Sequence, residues 1–152
     1  MHGSHADADW AAIEAHVRSS FARQGLMTTL GVRIDTLNPG HLALSMEPSA
    51  ATSQHHGYVH AGVVTSLLDT ACGFAALTRL PRGSEVLSVE FKVNLLAPAV
   101  GERIIARAEV LRTGRTLSVC RADAFARSAN GSEAVVATML ATMIRAYTGN
   151  GP

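Results

Sequence analysis

The residue best placed to do chemistry is Asp69, the one carboxylate in a long and largely apolar stretch. From Gln54 to Leu77, QHHGYVHAGVVTSLLDTACGFAAL, there is no other Asp or Glu and no Lys or Arg. An ionised carboxylate is costly to bury unless it is paired, hydrogen-bonded or used in a reaction. We interpret Asp69 as a carboxylate that is used.

Small residues surround Asp69 on the helix that this stretch is expected to form. A helix turns about 100° per residue, so the residues within roughly 60° of Asp69 share its face. They are all small or hydroxylated: Gly62, Thr65, Ser66, Cys72, Gly73 and Ala76. Such a stripe suits a thin ligand, a closely packed partner or both. Packing against another subunit, with Asp69 hydrogen-bonded to Thr or Ser, explains the stripe equally well.

A second reactive feature lies at the start of the same helix. Gly57 and Gly62 bracket His60-Ala61, where the first amides of the helix have no partner within it. Free amides at the positive end of the helix dipole can hold an oxyanion. Asp69 lies about 13 Å further along the axis by helical rise, too far for both features to reach one atom. Contact with a common substrate therefore requires a second, antiparallel copy of the helix, and we predict a dimer with shared sites.

The segments before this helix predict one further helix and a hairpin. Asp7 or Asp9 is expected to cap a first helix that runs to about Arg23 and stops at Gly25. The stripe of Trp10, Ile13, Val17 and Phe21 should hold this helix on the body of the domain. Residues 31–37 and 41–47 alternate around Asn38-Pro39-Gly40, which is typical of a hairpin.

The segments after the helix predict four strands. Apolar residues alternate with polar ones, including Ser88, over residues 87–95, so the strand should have one apolar and one polar face. Three further strands are expected over residues 103–112, 116–127 and 133–146. Tight turns make the set an antiparallel meander, and the last strand, apolar on both faces, should be central or covered. With no repeated strand–helix unit, the fold class is α+β.

Composition limits the kinds of partner. The chain has 152 residues, of which 47% are hydrophobic and 16% charged, and its formal net charge is +1. The length favours a single domain, and the low charged fraction favours a subunit that hides part of its surface by self-association. The small net charge gives no support for binding to nucleic acid or an acidic membrane. The N-terminus has no apolar signal core, so we expect a cytoplasmic protein.

Neither a metal site nor a reactive cysteine is expected. His55, His56 and His60 precede the helix, but Gly57 interrupts them and no second cluster supplies further ligands. Cys72 and Cys120 form no CxxC pair, so a disulfide framework or a zinc knuckle is not expected. Cys72 is interpreted as a small buried residue.

His60-Ala61-Gly62, Asp69 seven residues later and the downstream SVEFKVNLLAPAVGE together carry a family resemblance. From about Gly31 to Ala146 the chain resembles the hotdog-fold thioesterases of the phenylacetate-degradation (PaaI-like) group. The resemblance implies a single hotdog domain over residues 1–152, with an N-terminal helical segment (1–25) and a core (31–146) in which an antiparallel sheet wraps a long central helix. It also implies homodimers that pair into tetramers, and hydrolysis of acyl-coenzyme A thioesters without metal or prosthetic group.

The resemblance also assigns roles to residues. It implies that Asp69 is the catalytic nucleophile or the base acting on water, and that the Ala61 and Gly62 amides hold the thioester oxygen. Ser88 matches a strand hydroxyl that can orient water, and Gln54 occupies a position at which the family commonly has Asn. Three further residues near the helix start are expected to contact the substrate: His56, Gly57 and His60. Independently of the resemblance, four arginines lie at element ends, where they either meet coenzyme A phosphates or remain solvated charges, and Arg112 and Arg115 are the two expected to bind: Arg79, Arg82, Arg112 and Arg115.

Two other functions fit the same pattern. A hotdog hydratase or dehydratase uses a different arrangement of His and Asp on this fold, and a non-catalytic protein could bind acyl-coenzyme A as a sensor. The position of Asp69 on the helix favours hydrolysis over hydration. Because a fold does not determine a function, the ranking depends on the site.

Overall fold

The fold is a six-stranded antiparallel sheet packed around one long helix. The computed structural model describes the backbone of residues 5–147 and the side chains of residues 9–146. The helices are α1 (His5–Ala22), α2 (Gly25–Thr29) and α3 (Ala61–Leu77), with a 3₁₀ turn at Ala50–Thr52. The strands are β1 (Arg33–Asn38), β2 (His41–Met46), β3 (Ser84–Leu95), β4 (Arg103–Thr113), β5 (Leu117–Arg127) and β6 (Glu133–Tyr147).

The order of strands differs from a simple meander. The sheet runs β1-β2-β4-β5-β6-β3, and all five pairings are antiparallel. The hairpin β1–β2 and the run β4-β5-β6 are as predicted, and β6 is central. The prediction that β3 continues into a meander with β4 is wrong, because β3 pairs with β6 at the far edge. Helix α3 carries the chain across the face of the sheet, which leaves β4 to pair with β2.

Helix α3 forms the core with the small-residue face of β5. Leu67, Leu68 and Ala71 of the helix are fully buried. The β5 side chains that face the helix are also buried, and all are small: Ser118, Cys120, Ala122, Ala124 and Ala126. Small side chains let a helix approach the sheet closely, and each fully buried leucine contributes about 2 kcal/mol through burial. This pairing fixes the height of α3 above the sheet.

The first two helices differ from the prediction at their ends. Helix α1 starts at His5, so Asp7 and Asp9 lie inside it instead of capping it. It ends at Ala22, and Gly25 starts the short helix α2 instead of terminating α1. Glycine can occupy a helix start as well as a stop, and the sequence pattern does not separate the two. None of the helices within residues 5–147 is both long and apolar enough to cross a membrane.

The outer face of the sheet carries an ion cluster around Glu133. Arg107 donates two hydrogen bonds to its carboxylate, at 2.7 and 2.9 Å, and Arg127 donates two more. These hydrogen bonds, with that from Arg107 the largest cause, lower the pKa of Glu133 to about 2. The cluster ties β4 and β5 to the start of β6, on the side of the sheet away from α3.

Candidate active site

Asp69 and Ser88 meet across the gap between α3 and β3. The Ser88 hydroxyl donates a hydrogen bond of 2.6 Å to Oδ1 of Asp69. It also lies 3.4 Å from the sulfur of the buried Met143. The other carboxylate oxygen of Asp69, Oδ2, receives no hydrogen bond from the described residues. A half-buried carboxylate is therefore held in place through one of its two oxygens.

A β-bulge in β3 turns Ser88 toward the helix. Ser88 pairs with Met143 and Glu90 with Thr142, so Val89 is an extra residue in the strand. Because of this extra residue, the alternation of side chains between the two faces shifts by one after Ser88. Leu87 and Glu90 therefore lie on the outer face, and Ser88 and Phe91 lie on the inner face. The alternating sequence had placed Ser88 on the polar face with Glu90 and Lys92, and that prediction is wrong. Bulges re-aim side chains in this way, and they are frequent beside active sites.

A cavity of about 380 Å³, the Asp69 cavity, opens beside this pair. One wall is α3, with Asp69, Thr70, Gly73, Phe74 and Leu77, and the opposite wall is β3, with Glu85, Val86 and Ser88. The third wall consists of Ser20, Arg23 and Gln24, from the end of α1 and the residues after it. Its volume lies within the range of about 300 to 1,000 Å³ that is usual for small-ligand sites.

The start of α3 has one amide that is free and one that is capped. His60 precedes the helix, and its ring nitrogen Nδ1 accepts a 2.8 Å hydrogen bond from the Gly62 amide. The amides of Val63 and Val64 donate to the His60 carbonyl oxygen. Among the described residues, the Ala61 amide has no acceptor. Of the two amides expected to hold an oxyanion, the one at Ala61 is available in this conformation.

Gln54 lies beside this free amide in a second cavity. The Gln54 cavity measures about 530 Å³ and includes His60, Ala61, Tyr58 and, from the end of β3 and the segment after it, Leu95 to Ala99. The side-chain oxygen of Gln54 accepts a hydrogen bond from the His56 amide. The side-chain NH₂ group of Gln54 has no acceptor among the described residues, and it is a hydrogen-bond donor. Gln54 and Ala61 thus present two hydrogen-bond donors to one cavity.

The two cavities are separate within one chain. Asp69 and Ser88 line the first, whereas Gln54, His60 and Ala61 line the second. The helical rise of about 1.5 Å per residue sets Ala61 and Asp69 roughly 12 Å apart along the axis. The structure therefore brings two pairs of the predicted residues together, Asp69 with Ser88 and Gln54 with Ala61, without joining the pairs.

The remaining predicted contacts lie around or away from these cavities. Gly57, at φ 84°, occupies the left-handed region in the turn after His56, and the His56 ring lies 3.9 Å from that of His55. Arg112 and Arg115 are exposed at the β4–β5 turn and line neither cavity. Within the described residues, neither arginine forms an ion pair, and no cluster of three or more His, Cys, Asp or Glu could hold a metal ion.

Both cysteines are buried and outside the site. Cys72 and Cys120 are fully buried and free. Burial raises the pKa of the Cys72 thiol far above its usual range and that of Cys120 to about 11. Both thiols therefore stay protonated near neutral pH, which agrees with a packing role and excludes a thiolate nucleophile in this conformation.

The sequence did not indicate which residues at the end of α1 form a wall of the Asp69 cavity. Ser20, Arg23 and Gln24 lie beside Asp69 in space, although more than forty residues separate them in the chain. The available signal was the apolar stripe of α1, which ends at Phe21. Its ring packs edge-on against Phe74, with the centroids 5.8 Å apart. That contact holds the end of α1 over the cavity.

Known proteins share this sequence and fold. The model of the thioesterase superfamily matches residues 56–133. A thioesterase family protein from Silicibacter pomeroyi is 50% identical, with a TM-score of 0.86 over 89% of this chain and 98% of that one. Acyl-coenzyme A thioesterase 13 of Homo sapiens is 30% identical over 86 residues, which are 56% of this chain and 61% of that protein. The PaaI protein of the E. coli phenylacetic acid degradation operon is 19% identical and shares the fold, with a TM-score of 0.78 over 91% of this chain and 96% of that one.

The family match and the fold together show a thioester hydrolase with a hotdog fold, and the resemblance seen in the sequence is confirmed. The chain belongs to the thioesterase superfamily.

Proposed function

We propose that this thioesterase hydrolyses acyl-coenzyme A to the free acid and coenzyme A, with Asp69 as the catalytic carboxylate. The observation that carries the proposal is the 2.6 Å hydrogen bond from Ser88 to Asp69 at the mouth of a ligand-sized cavity. This bond fixes one carboxylate oxygen and leaves the other for the reaction. A fixed carboxylate with a free oxygen suits either role that the chemistry offers.

The reaction adds water across the bond between the acyl carbon and sulfur. As a base, Asp69 takes a proton from water while the water oxygen attacks the carbonyl carbon. As a nucleophile, it attacks that carbon itself, and water then hydrolyses the resulting anhydride. In both routes the carbon–sulfur bond breaks, the electron pair leaves on sulfur, and the thiolate is then protonated. Turnover in ¹⁸O-labelled water separates the routes, because hydrolysis of the anhydride at the Asp69 carbonyl carbon leaves label in that side chain.

The oxyanion that forms during this attack is held by the Ala61 amide, with the Gln54 side-chain NH₂ as a second donor. Two features support this assignment: the Ala61 amide has no other acceptor, and the Gln54 oxygen is already engaged by His56. The Ala61 amide also stands at the positive end of α3. Donors that are aimed before the reaction begins stabilise developing charge without reorganisation.

One complete site uses Asp69 from one chain and Ala61 from a second chain in a homodimer. The edge strand β3 supports this assembly, since it has no partner on its outer side and exposes Leu87, Val89, Phe91 and Leu95 by 42 to 63%. A long apolar edge invites pairing with another strand. A two-fold pairing of β3 with its copy extends the sheet and sets the two α3 helices antiparallel. Two such dimers form a tetramer.

Arg112 and Arg115 bind the phosphates of coenzyme A. Their position at the exposed β4–β5 turn and their lack of an ion-pair partner among the described residues support this role. Exposed cations bind phosphate through charge-assisted hydrogen bonds.

The test is thiol release from a panel of acyl-coenzyme A thioesters by the parent, Asp69→Asn and Ser88→Ala. We expect Asp69→Asn to lose at least about a hundredfold in kcat with little change in KM, as for a group that acts in the transition state. Ser88→Ala should lose about tenfold, because it removes one hydrogen bond to a charged group. The Arg18→Gln variant, which changes an exposed residue of α1, serves as the control for effects of substitution and purification that do not involve the site. The proposal is refuted if the parent hydrolyses no thioester or if Asp69→Asn retains full activity.

A further inference from the structure

Arg23 places a positive charge in the wall of the Asp69 cavity. Its guanidinium donates to the Ser19 carbonyl oxygen at 3.2 Å, the Ser19 hydroxyl at 2.8 Å and the Ser20 hydroxyl at 3.1 Å. All three acceptors are neutral, and within the described residues Arg23 forms no ion pair. An arginine has five N–H donors in a planar fork, so this one keeps unused donors and its whole charge.

The lining of the cavity changes along α3, from the Asp69 carboxylate through apolar residues to the Arg23 cation. The Phe21–Phe74 contact sets the end of α1 beside Phe74, roughly 7 to 8 Å along the helix from Asp69 by the helical rise. Between these points Gly73 and Val86 line the cavity, and neither has a polar side chain. The far end of an acyl chain bound there would meet Arg23, Ser20 and Gln24, all of which carry hydrogen-bond donors.

The acidic groups of the cavity do not cancel this cation. Asp69 lies at the reacting end, where Ser88 holds it. Glu85 is the other carboxylate in the wall, and its Oε1 lies 3.1 Å from Nε2 of His16 on α1. Arg23 makes no contact of this kind, so the cation closest to the end of α1 remains available to an anionic ligand.

From this arrangement we infer that the Asp69 cavity selects acyl groups that end in a carboxylate, the half-thioesters of dicarboxylic acids, and that Arg23 binds this distal carboxylate. The six-carbon adipoyl group is the test case, since its methylene chain joins the thioester to a distal carboxylate. Arginine and carboxylate form charge-assisted, often bidentate hydrogen bonds that a neutral acyl chain cannot make. The inference rests on the proposed thioester hydrolysis and adds the substrate class.

The experiment compares adipoyl-coenzyme A with hexanoyl-coenzyme A, which has the same chain length without the distal carboxylate. The ratio of their kcat/KM values is measured for the parent, Arg23→Gln, Arg23→Lys and Arg18→Gln. Arg18 is the matched control because it lies on the same helix, pairs with Glu14 and lines no part of the cavity. Dissociation constants of the non-hydrolysable thioether analogues of both substrates are measured in parallel.

The expected parent ratio favours adipoyl-coenzyme A by about tenfold or more, as for one hydrogen-bonded charge pair. Arg23→Gln should bring the ratio close to one, Arg23→Lys should restore part of it, and Arg18→Gln should leave it as in the parent. A general loosening of α1 would slow both substrates alike and leave the ratio unchanged.

A parent ratio near one, or a preference that survives in Arg23→Gln, overturns the inference. If neither these two thioesters nor any other member of the acyl-coenzyme A panel is hydrolysed, the proposed function fails by itself. The thioether analogues then decide the inference by the same ratio, since their binding requires no turnover.

Discussion

Replacing Ala61 by proline removes one of the two proposed oxyanion donors while leaving the helix start in place. Ala61 is the first residue of α3, the helical position at which proline is best tolerated, and its amide has no acceptor to lose among the described residues. The preceding His60 has φ −61° and ψ 136°, within the extended region that a residue before proline adopts. The perturbation is therefore a single N–H group.

The loss of kcat expected from removing this N–H group can be estimated from the effect of removing one donor from oxyanion sites in general. Removing one preorganised donor lowers kcat by about 100- to 1,000-fold, or roughly 3 to 4 kcal/mol. Because Gln54 offers a second donor in the same cavity, we expect the lower end, about a hundredfold in kcat with a small change in KM. Thiol release from an acyl-coenzyme A thioester measures both constants.

The matched control is Ala61→Gly, which shortens the side chain and keeps the N–H group. It should retain activity within a few-fold of the parent, and circular dichroism with thermal melting should report all three proteins as folded. A folded Ala61→Pro protein with a kcat close to that of Ala61→Gly would refute the assignment. The free amide at the start of α3 would then be a feature of helix geometry alone.

Two further predictions test the assembly and the outer ion cluster. If sites are shared, co-expressing Asp69→Asn with Ala61→Pro should restore roughly a quarter of parental activity. Half of randomly formed dimers contain one chain of each variant, and each such mixed dimer has one intact site out of two. Activity no greater than the average of the two variants would mean that each chain holds its own site. Glu133→Gln should lower the free energy of unfolding at pH 7 by about 1 kcal/mol after allowance for solvent screening. The folded pKa of Glu133, about 2, lies below its unfolded value. This stabilisation is therefore complete above about pH 5 and lost as the pH falls toward 2. Parallel urea melts should thus converge at low pH, and a constant gap would contradict the cause given for the pKa.

The helix and most strands could be predicted because their signals are local. The period of α3, the alternation in β5 and the Asn-Gly turn before β6 depend on residues close in sequence. The place of β3 at the sheet edge could not be predicted, because it depends on where α3 delivers the chain. Strand order is decided by how the elements pack. Four strands with short connections are expected to form a meander unless the position of the helix is taken into account.

For the candidate site, residue types were predictable and their exact orientation was not. Asp69 is identifiable as an isolated carboxylate, and His60 to Gly62 as a helix start. The hydrogen bond between Ser88 and Asp69 depends on the bulge at Val89. Val89 and its neighbours in sequence include no Gly or Pro, so the sequence does not indicate a bulge there. The place of His60 at the helix start was predictable, but its specific contact with the Gly62 amide was not, for a related reason. His is not among the usual capping residues, so its ring nitrogen gave no sequence signal.

The bulge connects the chemistry of Asp69 to the proposed assembly. It interrupts the regular ladder at Ser88 and turns that hydroxyl inward, while Phe91 to Leu95 continue as regular strand with an unpaired outer edge. The part of β3 that serves Asp69 is thus distinct from the part that can pair with a second copy. Because Gln54 and Ala61 lie in the other cavity with Leu95, pairing along that regular part acts on the oxyanion end of the site. In the proposed dimer, one strand would therefore position the carboxylate of its own chain and, through its edge, bring in the amide of the other chain.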